Sequence, residues 1–302
     1  MTSGKPLPPP LKPGARVGVV ALSGPVHEAA LASGLAFLGD EGFVVVEAAN
    51  LRSRDRYLAG HDAARVAGLE AVLADGVDAV WAARGGYGLT RILASLPWER
   101  LARWGGWVIG FSDVTALHAG MGRRARVASL HAPMVQSLTR HRASTDATLA
   151  LLRGTSPEVL MRFRPSAVVR PGHGRGVAVG GNLTVLAALA GTPFEPDYAG
   201  TVLFLEDVAE PTYRLDRLLT QLRLSSRLGA VKAVVAGRLA RCGRGEADWH
   251  ARWRALLCEV APGATVVLDG LPFGHGRANM PIPLGAEVVV DSERGTVTLG
   301  GS

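Results

Sequence analysis

The sequence is poor in cysteine, lysine and aromatic residues. Its 302 residues include two cysteines and three lysines, and aromatic residues make up 6%. Cys242 and Cys258 have neither the spacing of metal ligands nor that of a disulfide framework, so we expect free thiols of a reducing compartment, no metal and no other cofactor. No apolar run reaches the length of a membrane span, and the proline-rich residues 1–13 lack the core of a secretory signal. We therefore expect a cytoplasmic protein with no membrane partner.

Because lysine is scarce, arginine carries almost all of the basic charge. The formal net charge is +7, from 33 basic and 26 acidic residues. The arginines are scattered and no basic run is interleaved with aromatic residues, so we expect no nucleic-acid partner. Most of these arginines are expected to be ordinary solvent-exposed surface residues. Recognition of an anionic small substrate is the second explanation, since a guanidinium grips a carboxylate with paired hydrogen bonds.

The first half of the chain alternates apolar strand patterns with amphipathic helix patterns. The predicted strands are Arg16–Ala21, Phe43–Glu47, Val77–Ala82, Trp107–Phe111 and Val127–Leu130. Helices are predicted between them, over about His27–Gly39, Ala63–Ala74 and Leu89–Leu96, and from Ser112 onward. This alternation predicts an α/β fold with a parallel sheet covered by helices on both faces. Ligands of such sheets bind at the carboxyl ends of the strands.

The pattern changes after residue 153. We predict an N-terminal α/β domain over 14–153, a crossover linker rich in proline, glycine and arginine over 154–176, and a smaller, mixed, β-rich C-terminal domain over 177–302. The predicted strands of the second domain are Thr201–Leu205, Val231–Ala236, Thr265–Leu268, Glu287–Val290 and Thr296–Leu299, and its predicted helices are about Leu183–Ala190 and Leu215–Leu224. The last two strands flank turn residues and are predicted to be antiparallel.

Ser112 is the first candidate for chemistry. An apolar strand pattern ends at Phe111 and a helical pattern begins at Asp113. A serine on a sharp strand-to-helix turn is exposed beside free helical N–H groups, which suits a nucleophile whose target develops an oxyanion. The alternative is a structural role as a helix N-cap, a position that serine favours.

A serine nucleophile needs a base and an orienting acid. His118 lies six residues along the same predicted helix and cannot easily face Ser112, whereas His131 follows a strand and could reach it. His275 has glycines on both sides, in a loop without an apolar face, and is the better candidate for the base. The acid is Glu206 or its neighbour Asp207, at the end of a predicted strand; a structural role in capping the next turn is the alternative.

A glycine-rich loop follows the third predicted strand, in the sequence Arg84-Gly85-Gly86-Tyr87-Gly88. It lacks the spacing and the lysine of a phosphate loop. Consecutive glycines let backbone N–H groups approach a ligand closely, so we predict a cradle for an oxyanion or a substrate carboxylate, formed by Arg84, Gly85 and Gly86. A plain glycine-rich turn is the alternative.

Several motifs in order resemble the LD-carboxypeptidases, serine peptidases that act on muramoyl tetrapeptide, and their relatives, the microcin C self-immunity peptidases. The motifs are Val17-Gly18-Val19-Val20-Ala21-Leu22-Ser23, Tyr57-Leu58-Ala59-Gly60, Ala83-Arg84-Gly85-Gly86-Tyr87-Gly88, Ile109-Gly110-Phe111-Ser112-Asp113, Gly180-Gly181-Asn182-Leu183, Leu205-Glu206-Asp207-Val208, Phe273-Gly274-His275-Gly276 and Ile282-Pro283-Leu284-Gly285. Each motif is weak by itself, but their shared order over nearly the whole chain is specific.

The resemblance implies that Ser112 is the nucleophile, Glu206 the acid and His275 the base, with the amides of Asp113 and of Gly85 or Gly86 as oxyanion donors. It also implies a flavodoxin-like N-terminal domain that carries the serine, a C-terminal domain that carries the other two residues, and a homodimer. The implied reaction removes D-Ala from the murein tetrapeptide; the alternatives are cleavage of aminoacyl-nucleotides and non-catalytic peptide binding.

Overall fold

The computed structural model describes residues 4–156, 158–225, 228–261, 263–264 and 266–300. Its strands are β1 Arg16–Val20, β2 Val44–Glu47, β3 Ala79–Ala82, β4 Trp107–Gly110, β5 Ser129–His131, β6 Val159–Arg162, β7 Val168–Arg170, β8 His173–Asn182, β9 Thr201–Glu206, β10 Ala233–Ala236, β11 Val266–Leu268, β12 Ile282–Leu284, β13 Glu287–Asp291 and β14 Thr296–Leu299. Its α-helices are α1 Glu28–Asp40, α2 Asp62–Ala74, α3 Leu89–Ile92, α4 Trp98–Trp104, α5 Thr115–Gly120, α6 Arg142–Leu152, α7 Leu183–Leu189, α8 Thr212–Ser225 and α9 Trp249–Val260.

The first sheet has the order β12-β5-β4-β3-β1-β2. Strands β1 to β5 are mutually parallel, as the alternating pattern predicts. Strands β3 and β4 are buried at every residue, which explains their continuous apolar runs, because helices cover both faces of a parallel sheet. The carboxyl ends of β1, β3 and β4 lie side by side, and the loops that follow them meet at one edge.

The second sheet has eight strands in the order β6-β14-β13-β8-β9-β10-β11-β7 and is mixed, as predicted. Strands β8 to β11 run parallel, whereas β13 pairs antiparallel with both β8 and β14. The antiparallel β13–β14 pair confirms the predicted turn between them. Thr265, the predicted start of a strand, lies outside the described residues.

Two stretches differ from the expected organisation. The predicted linker, 154–176, contributes β6, β7 and the first residues of β8 to the second sheet. Strand β12, from the predicted C-terminal domain, instead pairs antiparallel with β5 and forms an edge of the first sheet. It satisfies the hydrogen bonds of β5, which would otherwise be an open edge. The chain after His275 therefore returns to the half of the molecule that carries Ser112.

None of the helices in the described ranges is both long and apolar enough to cross a bilayer.

Candidate active site

Ser112 lies on a strained turn at the carboxyl end of β4. Its φ of +63° is in the left-handed region, which costs a non-glycine residue of the order of 1–3 kcal/mol. Ser112–Val114 form a single 3₁₀ turn, and α5 begins directly after it. The serine lies inside this turn rather than at its N-cap, which is Phe111. Its Oγ is 3.1 Å from Nε2 of His275, so the side chain faces the other half of the molecule.

Glu206 ends β9, where it is fully buried and bound to His275. Its Oε2 accepts a hydrogen bond from Nδ1 of His275 at 2.6 Å and another from the backbone N–H of His275 at 3.3 Å. A proton on Nδ1 leaves the lone pair of Nε2 free to accept the Ser112 hydroxyl proton. The structure therefore brings Ser112, His275 and Glu206 into one chain of hydrogen bonds, an arrangement that can activate a serine for attack on a carbonyl.

The His275 imidazole is more basic than a free one. Burial opposes its charge, but the hydrogen bond and the negative charge of Glu206, with the charge of Asp207, outweigh burial and raise the pKa of His275. The carboxylate of Glu206 would thus stabilise an imidazolium at this position.

Asp207 points away from His275, so of the two neighbouring carboxylates it is Glu206 that bonds this histidine. Its carboxylate accepts hydrogen bonds from the backbone N–H and the Oγ1 of Thr184 at 2.9 and 2.8 Å, and from Nδ2 of Asn182 at 3.0 Å. It therefore anchors the start of α7. Burial raises the pKa of Asp207 despite these donors.

The other two candidate histidines lie away from the Ser112 hydroxyl. His118 is buried behind the turn, where its ring nitrogens are 2.9 Å from the Gly110 carbonyl and 2.9 Å from the Ser129 Oγ. Burial lowers the pKa of His118 to about 3. His131 is fully buried at the end of β5, and its Nε2 is 3.0 Å from Oδ1 of Asn279. Burial also lowers the pKa of His131, so the neutral form is favoured in both imidazoles.

The glycine-rich loop lies directly against Ser112. A Cβ placed on Gly85 would be 3.1 Å from Cβ and 3.2 Å from Oγ of Ser112, so a side chain here would press on Ser112. The Gly85 carbonyl accepts a hydrogen bond from the Gly24 N–H at 3.0 Å. Among the described residues, the N–H groups of Gly85 and Gly86 donate no backbone hydrogen bond. The Arg84 guanidinium bonds the Pro25 carbonyl and so ties this loop to the one after β1.

The Asp113 carboxylate joins three loops beneath the site. It is buried and accepts hydrogen bonds from Oγ of Ser23 at 2.6 Å and from the backbone N–H of Leu89 at 2.9 Å. Burial raises the pKa of Asp113 although these donors act in the other direction. The side chain thus holds the turn in place, and any contact of Asp113 with a substrate is left to its backbone.

Sequence analysis missed Asn279, which is buried beside the His275 loop. Its Oδ1 accepts the Gly274 N–H at 2.8 Å. The available signal was weak: a single amide side chain four residues beyond His275, in a short stretch without regular structure. Within the described ranges, no group of three or more His, Cys, Asp or Glu side chains is placed to hold a metal ion.

Comparison with known proteins identifies the family. The LD-carboxypeptidase N-terminal domain model matches residues 17–132, and the LD-carboxypeptidase C-terminal domain model matches residues 175–290. A putative carboxypeptidase of Streptomyces coelicolor, SCO6489, is 40% identical over 97% of this chain and 95% of its own length. The murein tetrapeptide carboxypeptidase of Pseudomonas aeruginosa is 35% identical over 81% of this chain and 83% of its own length.

The fold also matches that of a solved structure. The microcin C7 self-immunity protein MccF, solved in complex with aspartyl sulfamoyl adenosine, has a TM-score of 0.88 over 98% of this chain and 99% of its own, at 21% identity. The sequence matches, which cover most of the chain, lead to one conclusion: this chain belongs to the LD-carboxypeptidase family.

Proposed function

We propose that this chain is a serine-type LD-carboxypeptidase that hydrolyses the L,D bond to the C-terminal D-Ala of muramoyl tetrapeptide, in murein recycling. The observation that carries the proposal is the continuous hydrogen-bond chain from Glu206 through His275 to Ser112. The family supports the substrate class, since the Pseudomonas aeruginosa relative is named a murein tetrapeptide carboxypeptidase.

In the proposed reaction, Ser112 Oγ attacks the carbonyl carbon of the scissile bond while Nε2 of His275 takes the hydroxyl proton. Collapse of the tetrahedral intermediate breaks the C–N bond, and His275 gives its proton to the departing D-Ala amine. Water then attacks the acyl-enzyme ester, and its proton passes through His275 to Ser112. Glu206 keeps the Nδ1–H tautomer and stabilises the imidazolium in both steps.

The oxyanion is proposed to lie between the Ser112 turn and the glycine-rich loop. The donors are the Asp113 N–H, which follows the nucleophile, and the N–H of Gly85 or Gly86, which has no backbone acceptor among the described residues. Preorganised amides of this kind stabilise the developing charge without reorganisation. Arg84, which precedes Gly85 and bonds the Pro25 carbonyl, is proposed to bind the substrate.

An aminoacyl-nucleotide substrate is the second candidate, because two exposed aromatic rings that could stack on a base lie next to each other. The tryptophans of the first half do not supply such a surface: Trp81, Trp98 and Trp107 are buried in the core, and the half-buried Trp104 bonds the Val77 carbonyl, which precedes β3 and so lies at the opposite end of the sheet from Ser112. Tyr57 and Tyr87 do expose their rings, at 57% and 50%, with ring centroids 5.9 Å apart. Tyr87 belongs to the glycine-rich loop whose Gly85 borders Ser112, which is the reason for considering a planar group bound there.

The test is to incubate the protein separately with murein tetrapeptide and with an aminoacyl sulfamoyl adenylate, and to identify the products by mass spectrometry. Release of D-Ala by the wild type, and not by Ser112→Ala, is the expected result. Cleavage of the adenylate alone would select the second candidate, and Tyr87→Ala should then raise KM for that substrate. Binding of the tetrapeptide with no turnover would instead indicate a non-catalytic peptide-binding protein.

A cytoplasmic homodimer is the remaining part of this proposal. Analytical ultracentrifugation of the purified chain tests the dimer, and fractionation of the source cells tests the location.

A further inference from the structure

Asn279 connects the His275 loop to the half of the molecule that carries Ser112. Its Oδ1 accepts hydrogen bonds from the Gly274 N–H at 2.8 Å and from His131 Nε2 at 3.0 Å. Its own backbone N–H donates to Oγ of Ser144, in α6, at 2.9 Å. Asn279 is thus fixed to two elements of the first half while its side chain holds the residue before His275.

The contacts determine the protonation of His131. A backbone N–H can only donate, so the Asn279 atom that meets Gly274 must be the amide oxygen. That same oxygen meets His131 Nε2, which must therefore carry a proton. Burial lowers the pKa of this imidazole and so favours its neutral form, in which Nε2 holds the one proton and Nδ1 holds none. His131 acts here as a hydrogen-bond donor of fixed tautomer.

The backbone of Gly274 packs tightly against Glu206, so its position decides where the next residue lies. Its φ is +90°, and a Cβ on it would lie 2.7 Å from Oε2 of Glu206, so the backbone runs directly against the acid. The next residue, His275, must meet Glu206 at 2.6 Å and Ser112 at 3.1 Å at the same time. A small rotation of this turn would lengthen one of the two bonds.

His131 is also linked to the Ser112 turn through the first sheet. It pairs with Gly110 across β4 and β5, two residues before Ser112, and with Ile282 across β5 and β12. Its ring centroid is 5.8 Å from that of Phe111, which in turn is 4.9 Å from that of His275. The donor that fixes Asn279 therefore belongs to the same sheet edge as the Ser112 turn.

We propose that His131 and Asn279 form a positioning pair that sets the His275 loop in register with Ser112 across the two halves of the molecule. The proposal rests on the proposed serine-peptidase function of the same site. The Nε2–H of His131 orients the Asn279 carboxamide, the carboxamide holds the Gly274 N–H, and that bond fixes the direction of the His275 ring. Neither residue touches the reacting atoms.

The experiment compares His131→Phe, which keeps an aromatic ring but removes the donor, with His131→Gln, which keeps an N–H donor. Asn279→Leu removes the acceptor at similar volume. Thr145→Val is the matched control, because it removes a buried hydrogen bond of α6, to the Leu138 carbonyl, without touching the loop. The measurements are kcat and KM for D-Ala release from murein tetrapeptide, and the low-field proton NMR signal of His275 Nδ1–H, assigned by its absence in His275→Gln.

We expect His131→Phe and Asn279→Leu to lower kcat by roughly 10- to 100-fold with KM within about twofold, since misplacement of a catalytic group by about 1 Å costs up to that much. The His275 signal should weaken or shift in both, and His131→Gln should restore most of kcat. Thr145→Val should lower the melting temperature but leave kcat, KM and the His275 signal unchanged. Wild-type kcat and an unchanged signal in His131→Phe and Asn279→Leu would overturn the proposal.

The two proposals fail in different ways. If the wild type released no D-Ala, the proposed function would fail, yet the NMR signal would still report whether Asn279 and His131 hold the imidazole. If Ser112→Ala were inactive while Asn279→Leu kept both full kcat and the wild-type signal, the function would stand and the positioning role would be wrong.

Discussion

The Ser112 turn and the His275 loop reach the same site by different means. The turn depends on a local feature, the left-handed φ of Ser112 two residues after the end of β4, and the next residue, Asp113, anchors it to Ser23 and to the Leu89 N–H. The His275 loop has no regular structure and depends on residues distant in the chain, above all Glu206 and Asn279. The conformation of Ser112, the proposed nucleophile, is thus set mainly by its own backbone, whereas the ring of His275, the proposed base, is oriented by hydrogen bonds to distant side chains, so substitutions in the two regions should fail differently.

The largest effect on kcat is expected at the Ser112 turn. Ser112→Ala should lower kcat by roughly 10⁵-fold, the scale of nucleophile loss in serine hydrolases, because no other hydroxyl replaces Oγ. Ser112→Gly should be equally inactive yet about 1 kcal/mol more stable than Ser112→Ala, because glycine adopts a φ of +63° without strain. Turnover assays and urea denaturation measure the two effects. Equal stability of the two variants would mean that the turn stores no strain.

The next effect separates two adjacent carboxylates. Glu206→Gln should lower kcat by roughly 10³-fold, because an amide can present its N–H₂ group to Nδ1 and favours the wrong imidazole tautomer. Asp207→Asn should change kcat little but lower stability by about 1–3 kcal/mol, because one of the Thr184 and Asn182 donors would lose its acceptor. Kinetics and thermal melts on both variants make the comparison. A large loss of kcat in Asp207→Asn with little loss in Glu206→Gln would mean that Asp207, not Glu206, is the acid.

A smaller effect on kcat is expected in the His275 loop, which depends on long-range hydrogen bonds. Gly274→Ala would place a methyl group 2.7 Å from the Glu206 carboxylate at a φ of +90°, so kcat should fall roughly 100-fold through a displaced His275. Gly270→Ala is the matched control, since Gly270 also has a positive φ, +79°, but nothing lies within 4 Å of its Cβ. The control should lose about 1 kcal/mol of stability and keep its kcat. Equal loss of kcat in both variants would attribute the effect to backbone strain alone.

The same contrast explains what the sequence could predict. The parallel strands of the first sheet and the Ser112 turn follow from local patterns, and the structure has them within a few residues of the predicted bounds. Strand β8 was missed because four of its ten residues are glycine, which hides any alternation of apolar side chains. Those glycines are needed for close packing: a Cβ on Gly180 would lie 1.9 Å from the Phe204 carbonyl oxygen. No local pattern reveals such a contact.

The candidate site, too, could be predicted from the sequence only in part. Residues alone could not choose between Glu206 and Asp207, because strand alternation says only that they face opposite sides. The family resemblance gave Glu206, and the structure places that carboxylate on His275. Asn279 escaped prediction because its partners His131 and Ser144 are 148 and 135 residues away. Positions defined by long-range contacts need the fold before their role can be seen.

The smallest effect concerns the pH dependence of stability, where the histidines of the two regions act in opposite directions. Burial lowers the pKa of His118 to about 3, whereas the unfolded chain protonates this imidazole near 6.5. Below that pH the unfolded state binds more protons, so stability falls with acid, by up to about 1.4 kcal/mol per pH unit for this one group. The lowered pKa of His131 adds in the same direction. The raised pKa of His275 does the reverse: its contribution to stability is complete below the ordinary imidazole pKa and is lost as the pH rises through the folded value.

Urea midpoints measured from pH 8 to pH 4.5 should therefore show a flatter acid limb in His118→Gln than in the wild type, and a flatter limb above neutral pH in His275→Gln. If His118→Gln kept the wild-type slope between pH 6.5 and pH 4.5, the imidazole behind the Ser112 turn would not be buried in its neutral form.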